Sequence, residues 1–244
     1  MDKYNVYQDM SRRTGGEIYL GIVGPVRTGK STFIKRFMEL VVIPEMSDDN
    51  EKVRTIDELP QSADGKTIMT TEPKFIPKEA AVIHFSNQET GKIRLIDCVG
   101  YLVPEAVGAI EEEKERMVKT PWSEEEIPFS KAAEIGTSKV IREHSNLGLI
   151  ITTDGSFGDI PAVNFEEALQ KTVMECEKAG KPFLILVNTS RPDSQETIQF
   201  TKRLEAQYGK TVMAVNCNGQ RGCVSYHGAA VGGFPDYKAQ FPAS

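Results

Sequence analysis

Long apolar runs are missing from this 244-residue chain, and none approaches the roughly 18–20 residues that cross a bilayer. The N-terminal MDKYNVYQDMSRR has no apolar core of the kind a secretory leader needs, so the chain is expected to be cytoplasmic. Cysteine is scarce: Cys98, Cys176, Cys217 and Cys223 form no Cys-x-x-Cys pair, and only three histidines could supplement them. That excludes a disulfide framework and a structural zinc site. Excess positive charge is lacking too. A net charge of −6 gives no electrostatic reason to expect nucleic acid as a partner.

What is present is an ordinary globular composition, 39% hydrophobic and 26% charged, which argues against disorder. Residues 18–23, IYLGIV, read as a buried strand ended by Gly24 and Pro25. A helix is predicted over 30–41, burying Phe33, Ile34, Phe37 and Leu40. From 43 to 77 prolines and a glycine interrupt the pattern, so mostly loop or short elements are expected. Strands follow over 81–85 and 92–96, then a helix over 129–142 and a strand over 147–152. Next come a helix over 163–179, a strand over 183–187, a helix over 196–208 and a strand over 212–216. This alternation predicts an α/β fold of three layers, a mostly parallel sheet with helices on both faces.

Residues 101–127 carry the acidic runs EEEKE (111–115) and EEE (124–126) and read as an exposed insertion. From Cys217 the character changes: glycines recur, and only Arg221, Asp236 and Lys238 are charged. The helix that would normally cover a last strand is absent by pattern. The expected division is thus a nucleotide-hydrolase domain over 1–216 and an atypical Gly/Ala-rich tail over 217–244.

Gly24-Pro-Val-Arg-Thr-Gly-Lys-Ser31 matches G-x-x-x-x-G-K-[ST] between a strand and a helix, the context a phosphate loop requires. Gly24 and Gly29 let the chain curl around phosphate oxygens, and Lys30 sets a cation against them. The Ser31 hydroxyl can ligate Mg²⁺, and the helix N-terminus, with Arg27, Thr28 and Thr32 around it, completes an anion cradle. Asp97-Cys-Val-Gly100 is a D-x-x-G sequence at a strand end. There Asp97 can organise the metal through water and the Gly100 N–H can approach a γ-phosphate. Between these elements lies GKTIMTTEP (65–73), where a γ-phosphate sensor belongs. Thr70 and Thr71 are the candidates for the sensor and metal contact, with Thr67 next. The nucleobase motif N-K-x-D is degraded: Asn188 stands first, but Thr189 and Arg191 replace lysine and aspartate. Arginine cannot accept from guanine.

With these residues placed, the sequence resembles the N-terminal ATPase domain of the stage IV sporulation protein A family. The blocks that carry the likeness include TGGEIYLGIVGPVRTGKSTFIKRFMELVV, DELPQSADGKTIMTTEPKF, IRLIDCVGY, GLIITTDGSFGDI and KPFLILVNTSRP. The resemblance implies a translation-factor-like GTPase fold that hydrolyses ATP with Mg²⁺. It assigns Lys30 as the Walker A lysine, Asp97 as the Walker B-like aspartate, and Thr70 and Thr71 as sensor threonines. It further implies self-association into a basement layer of the spore coat on the mother-cell side of the outer forespore membrane. The partners it implies are a small amphipathic membrane-anchored peptide and coat proteins. Family members are about twice this length, so the chain reads as a truncation, frameshift or fragment, expected to bind ATP without forming the ordered polymer alone. Two other readings use the same motifs: a GTP-dependent regulatory switch, which would want N-K-x-D, and a small-molecule kinase, which would need an acceptor site.

Overall fold

The computed structural model describes residues 17–60, 72–84, 90–106, 110–111 and 114–219. Strand β1 (Glu17–Val23) leads into helix α1 (Lys30–Phe37), which is extended by a π-helical turn, Met38–Val42. Helix α2 is Asp49–Glu58, and β2 (Lys74–His84) and β3 (Thr90–Asp97) follow. Two small antiparallel ladders come next, β4 (Ile110–Glu111) with β5 (Lys114–Glu115) and β6 (Met117–Thr120) with β7 (Ser123–Pro128). Helix α3 (Phe129–Lys139) ends in a second π-helical turn, Val140–His144, before β8 (Leu147–Thr153). The chain then runs through α4 (Glu166–Lys178), β9 (Phe183–Asn188), α5 (Gln195–Tyr208) and β10 (Val212–Val215).

Six strands form one sheet in the order β10-β9-β8-β1-β3-β2. Every pairing is parallel except that of β2 with β3. Parallel strands covered on both faces should be apolar without interruption, and β8 and β9 are buried at every residue. Their side chains still alternate between the two faces. Leu147, Leu149 and Ile151 join Leu184 and Leu186 against Phe33, Ile34 and Phe37 of α1. Ile150, Ile185 and Val187 turn the other way, against Ile141, Leu169 and Val173 and Leu204. The result is the three-layer α/β architecture that the alternation predicted. Truncating such fully buried side chains to alanine costs on the order of 2–5 kcal/mol each. Cys98, Cys176 and Cys217 are part of this core. Among the described residues no helix is long and apolar enough to cross a membrane.

Three expectations need correction. Within the stretch 43–77, expected to be mostly loop or short elements, the described residues include a ten-residue helix, α2. Its periodicity is silent because it buries only Thr55, while Val53 and Ile56 stay exposed. Local signals hold it instead: the Asp48 carboxylate caps the Asn50 and Glu51 N–H groups at 2.7 and 3.2 Å, with Asp49 and Glu51 in the first turn. Strand β2 begins at Lys74, not at 81, and runs through Pro77. An edge strand tolerates a missing N–H, and the register shifts between Ile76 and Ala81, where the proline falls. Tyr101 and Val103, expected in an exposed insertion, are instead buried with Val26 and Phe165.

The edge strand β10 is covered on one face by α5, whose Leu204 shares a cluster with Val212. On the other face Val215 and Cys217 are buried with Leu184 and Leu186. Residues 220–244, most of the expected tail, lie outside the described residues.

Candidate functional site

The site is built where β1 gives way to α1. Gly24 has φ +129°, and a Cβ there would stand 2.3 Å from the Ile151 carbonyl oxygen of β8. Only glycine fits between the loop and that strand. The Thr28 hydroxyl donates to the Pro25 carbonyl at 2.9 Å, which closes the turn. Gly29, with φ +91°, opens α1, whose first turn has neither a side-chain cap nor an acidic residue. Helix N–H groups left this way are an anion site. Arg27 is exposed at the rim with φ +65°, and Thr32 is half-buried on α1.

Lys30 is 5% exposed, and its amine curls back to donate to the Pro25 carbonyl at 2.6 Å and the Gly24 carbonyl at 3.3 Å. Burial pushes its pKa below the ordinary lysine value, against the opposing pull of Cys98 and Asp97. Asp97 lies beside β1, in register with Ile22. Its Oδ2 accepts from the Ser31 hydroxyl at 2.8 Å, whereas its Oδ1 is buried with no hydrogen-bond partner. Burial pushes this carboxyl up, and the Ser31 bond and the Lys30 charge oppose it.

Gly100 seals the arrangement. It has φ +93°, and a Cβ there would lie 2.0 Å from the Gly24 carbonyl oxygen and 2.7 Å from Lys30 Nζ. The next residue, Tyr101, accepts from the Val26 N–H at 2.9 Å. Its side chain is buried beside Val26 and Phe165 and lines a cavity of about 330 Å³ between α3 and α4. Burial drives the phenol far above its usual pKa. Tyr101 thus follows Gly100 without offering a group to position water.

The residues fit a magnesium-bound polyphosphate. A buried cation and a free helix N-terminus suit the phosphates, and the orphaned Asp97 Oδ1 with the Ser31 hydroxyl suits the metal. Mg²⁺ typically takes one or two carboxylates and leaves its remaining positions to phosphate and water. Among the described residues no cluster of three or more acidic, histidine or cysteine side chains is present. Thr67, Thr70 and Thr71 lie outside the described residues.

Asn188, singled out as a nucleobase position, has both ends of its amide engaged by the protein. Its Nδ2 donates to the Thr28 carbonyl at 3.1 Å, and its Oδ1 accepts from the Cys217 N–H at 3.1 Å. It ties the phosphate loop to the ends of β9 and β10.

Next to it lies a polar cluster that the motif reading missed. Asp154, just past β8, accepts from the Ser156 N–H at 3.0 Å and from the Thr189 hydroxyl at 2.6 Å, with the Thr197 hydroxyl at 3.4 Å. Burial raises its pKa, but the Ser156 and Thr189 bonds outweigh this and leave it below the ordinary carboxylate value. The one sequence signal was the Asp-Gly-Ser at a strand end, inside a block already matched to the family.

A Gly-rich anion loop, a D-x-x-G aspartate beside it and a parallel sheet covered on both faces define a three-layer P-loop nucleotide-hydrolase fold. The sequence profile "Stage IV sporulation protein A, ATPase domain" matches residues 1–222. The chain belongs to that family. It is 52% identical over 221 residues to Stage IV sporulation protein A of Bacillus subtilis (strain 168), covering 91% of this chain and 45% of the relative. With the Clostridioides difficile (strain 630) protein of the same name it shares 48% over 212 residues, covering 87% and 43%. The chain therefore spans a little under half the length of these relatives. Among solved structures, a crystallised SsGBP variant superposes with a TM-score of 0.50 at 12% identity, over 97% of this chain and 61% of the other. Aquifex aeolicus Era bound to GDP and AlF4⁻ gives 0.45 at 15% identity, over 85% and 52%. At 12% identity the likeness to the SsGBP variant is one of fold alone.

Proposed function

We propose that this chain is the ATP-binding and ATP-hydrolysing part of a morphogenetic protein of spore-coat assembly, with Mg²⁺ as its cofactor. The observation that carries the proposal is the direct contact of the two motifs, Ser31 on Asp97 and Gly100 on Gly24 and Lys30. Two sequence elements far apart in the chain meet with the charges a metal–triphosphate complex needs.

In this reading the N–H groups at the start of α1 and the Lys30 amine hold the β- and γ-phosphates. Ser31 and Asp97 hold Mg²⁺, which when bound neutralises charge on the phosphate oxygens. The Gly100 N–H accompanies the γ-phosphate. Thr70 and Thr71 are assigned the sensor role by family resemblance. Tyr101, which follows Gly100, is turned into the core; with water aligned mainly by bound phosphate and backbone, turnover is expected to be slow. Residues 1–216 form the nucleotide domain. Self-association, the forespore location and the membrane-anchored peptide and coat partners come from the resemblance and are proposed for the protein as a whole.

A GTP-dependent switch is the second reading, favoured only by fold. Arg191, paired with Glu196 at 3.5 Å, stands where a guanine-reading carboxylate would be needed. Hydrolysis of ATP and GTP compared in one purified sample decides between them, and a preference for GTP would sink the proposal. Asp97→Ala is expected to cut Mg²⁺-dependent ATP hydrolysis by about a hundredfold while changing metal-free nucleotide binding little, as for loss of one catalytic electrostatic group. Equal loss of both properties would remove Asp97 from the metal.

A further inference from the structure

The ends of β8, β9 and β10 lie level with one another, with Thr153 and Val215 flanking Asn188 in register. The phosphate loop sits to one side of this group, and Asp97 and Gly100 sit on its far side, since the strands run β9-β8-β1-β3. A triphosphate whose terminal phosphate faces Asp97 and Gly100 must send its ribose and base the other way. That direction leads past Gly29 and Asn188 to the loop 188–191 and the N-terminus of α5. A Cβ at Gly29 would lie 2.4 Å from Asn188 Nδ2, so the two are in contact.

The backbone of the loop 188–191 makes two bonds outside the Asp154 cluster, the Thr189 N–H to the Val215 carbonyl at 2.8 Å and the Ser194 N–H to the Arg191 carbonyl at 3.1 Å; the rest of the loop is held from elsewhere. Its backbone is fixed by a network whose hub comes from another loop. Thr189, fully buried, donates its hydroxyl to Asp154 Oδ2 and accepts the Arg191 N–H at 3.1 Å. Ser156 donates its N–H to Asp154 Oδ1, and its hydroxyl oxygen accepts the Ser190 N–H at 2.8 Å while donating to Thr189 at 3.3 Å. The Thr197 hydroxyl on α5 also reaches Asp154 Oδ2. One carboxylate thereby sets three successive residues and the start of a helix. Hydrogen bonds to an ionised acceptor are about twice as strong as neutral ones. Both Asp154 oxygens are used internally, so the carboxylate is committed to the loop and not to a ligand.

We propose that Asp154 is a positioning residue for the nucleobase, holding the 188–191 loop through Thr189 and Ser156 as the wall against which the base of ATP packs. This rests on the ATP reading above and adds a residue that none of the phosphate motifs contains.

The experiment compares binding of ATP with binding of inorganic tripolyphosphate, which engages the phosphate loop but has no base. Asp154→Ala should weaken ATP by about tenfold, the size of a lost charge-assisted contact, and leave tripolyphosphate unchanged. In steady state KM for ATP rises while kcat holds. Thr189→Val should reproduce the effect and Thr189→Ser should restore ATP binding, and this pair decides the matter if Asp154→Ala does not fold. Equal weakening of both ligands, or no weakening of ATP, overturns the proposal. A wild-type chain that binds tripolyphosphate as tightly as ATP also overturns it but leaves the phosphate-site reading standing. A wild-type chain that binds neither overturns both.

Discussion

Lys30→Ala is expected to lower ATP hydrolysis by two orders of magnitude or more, the usual scale for removing a charge aimed at the transition state. The amine lies over the loop on the Pro25 and Gly24 carbonyls, 2.7 Å from where a Cβ at Gly100 would be. It is thus the cation at the junction of both motifs. The same residue carries an opposite expectation for stability. Its pKa is depressed by burial, so the folded state disfavours its charge. A lysine with a folded pKa below its unfolded value detracts from stability at neutral pH and ceases to do so only above the unfolded value. Lys30→Met keeps the aliphatic stem without the charge, and its thermal midpoint at pH 7 should hold or rise. Unchanged hydrolysis by a folded Lys30→Ala would remove the lysine from the mechanism. A large fall in the melting point of Lys30→Met would mean that the carbonyl contacts outweigh desolvation.

Gly100→Ala should be nearly as damaging, for a steric reason. No shift of a flexible side chain relieves a contact of 2.0 Å with the Gly24 carbonyl oxygen, because that atom belongs to the phosphate loop's own backbone. The loop and the D-x-x-G segment must separate, and a displacement of about 1 Å at such a site costs roughly a hundredfold in rate. Gly158→Ala is the control. Its φ of +92° matches that of Gly100, but nothing lies within 4 Å of the added Cβ. It should lose about 1–3 kcal/mol to backbone strain alone and keep its hydrolysis rate. Parallel rate losses in the two variants would assign the effect to strain and not to the contact.

The sequence was most legible where physics was local. Strands β8 and β9 announce themselves because each carries an apolar, β-branched run at its centre and is buried along its whole length, as two covered faces demand. The phosphate loop and Asp97-Cys-Val-Gly100 were readable because backbone curvature requires glycine at fixed intervals. Helix α2 was not, since it rests on the Asp48 cap rather than on a buried stripe, and such signals are weak beside four nearby prolines. Nor was the burial of Tyr101, which depends on Val26 and Phe165 arriving from elsewhere. The Asp154 cluster joins loops that follow two different strands. No spacing rule connects Asp154 to Thr189 and Thr197, so only the folded chain brings them together. Asn188 stands first in the nucleobase motif, but its hydrogen bonds to the Thr28 carbonyl of the phosphate loop and from the Cys217 N–H cannot be read from that place.

Loops rich in glycine are usually the least rigid parts of a fold. The segment 24–31 has been given few freedoms. Gly24 abuts the backbone of β8, the Val26 N–H is bound by Tyr101, and the Thr28 carbonyl is bound by Asn188. Ser31 is bound to Asp97. Its neighbours from three strands, β3, β8 and β9, therefore determine its shape, and opening it locally means disturbing the centre of the sheet. In the language of cooperative units it belongs with the most stable part of the molecule and not with its mobile surface. The entropy of arranging those N–H groups is lost during folding, so an arriving triphosphate meets a cradle already in its binding shape and keeps more of its interaction energy as affinity.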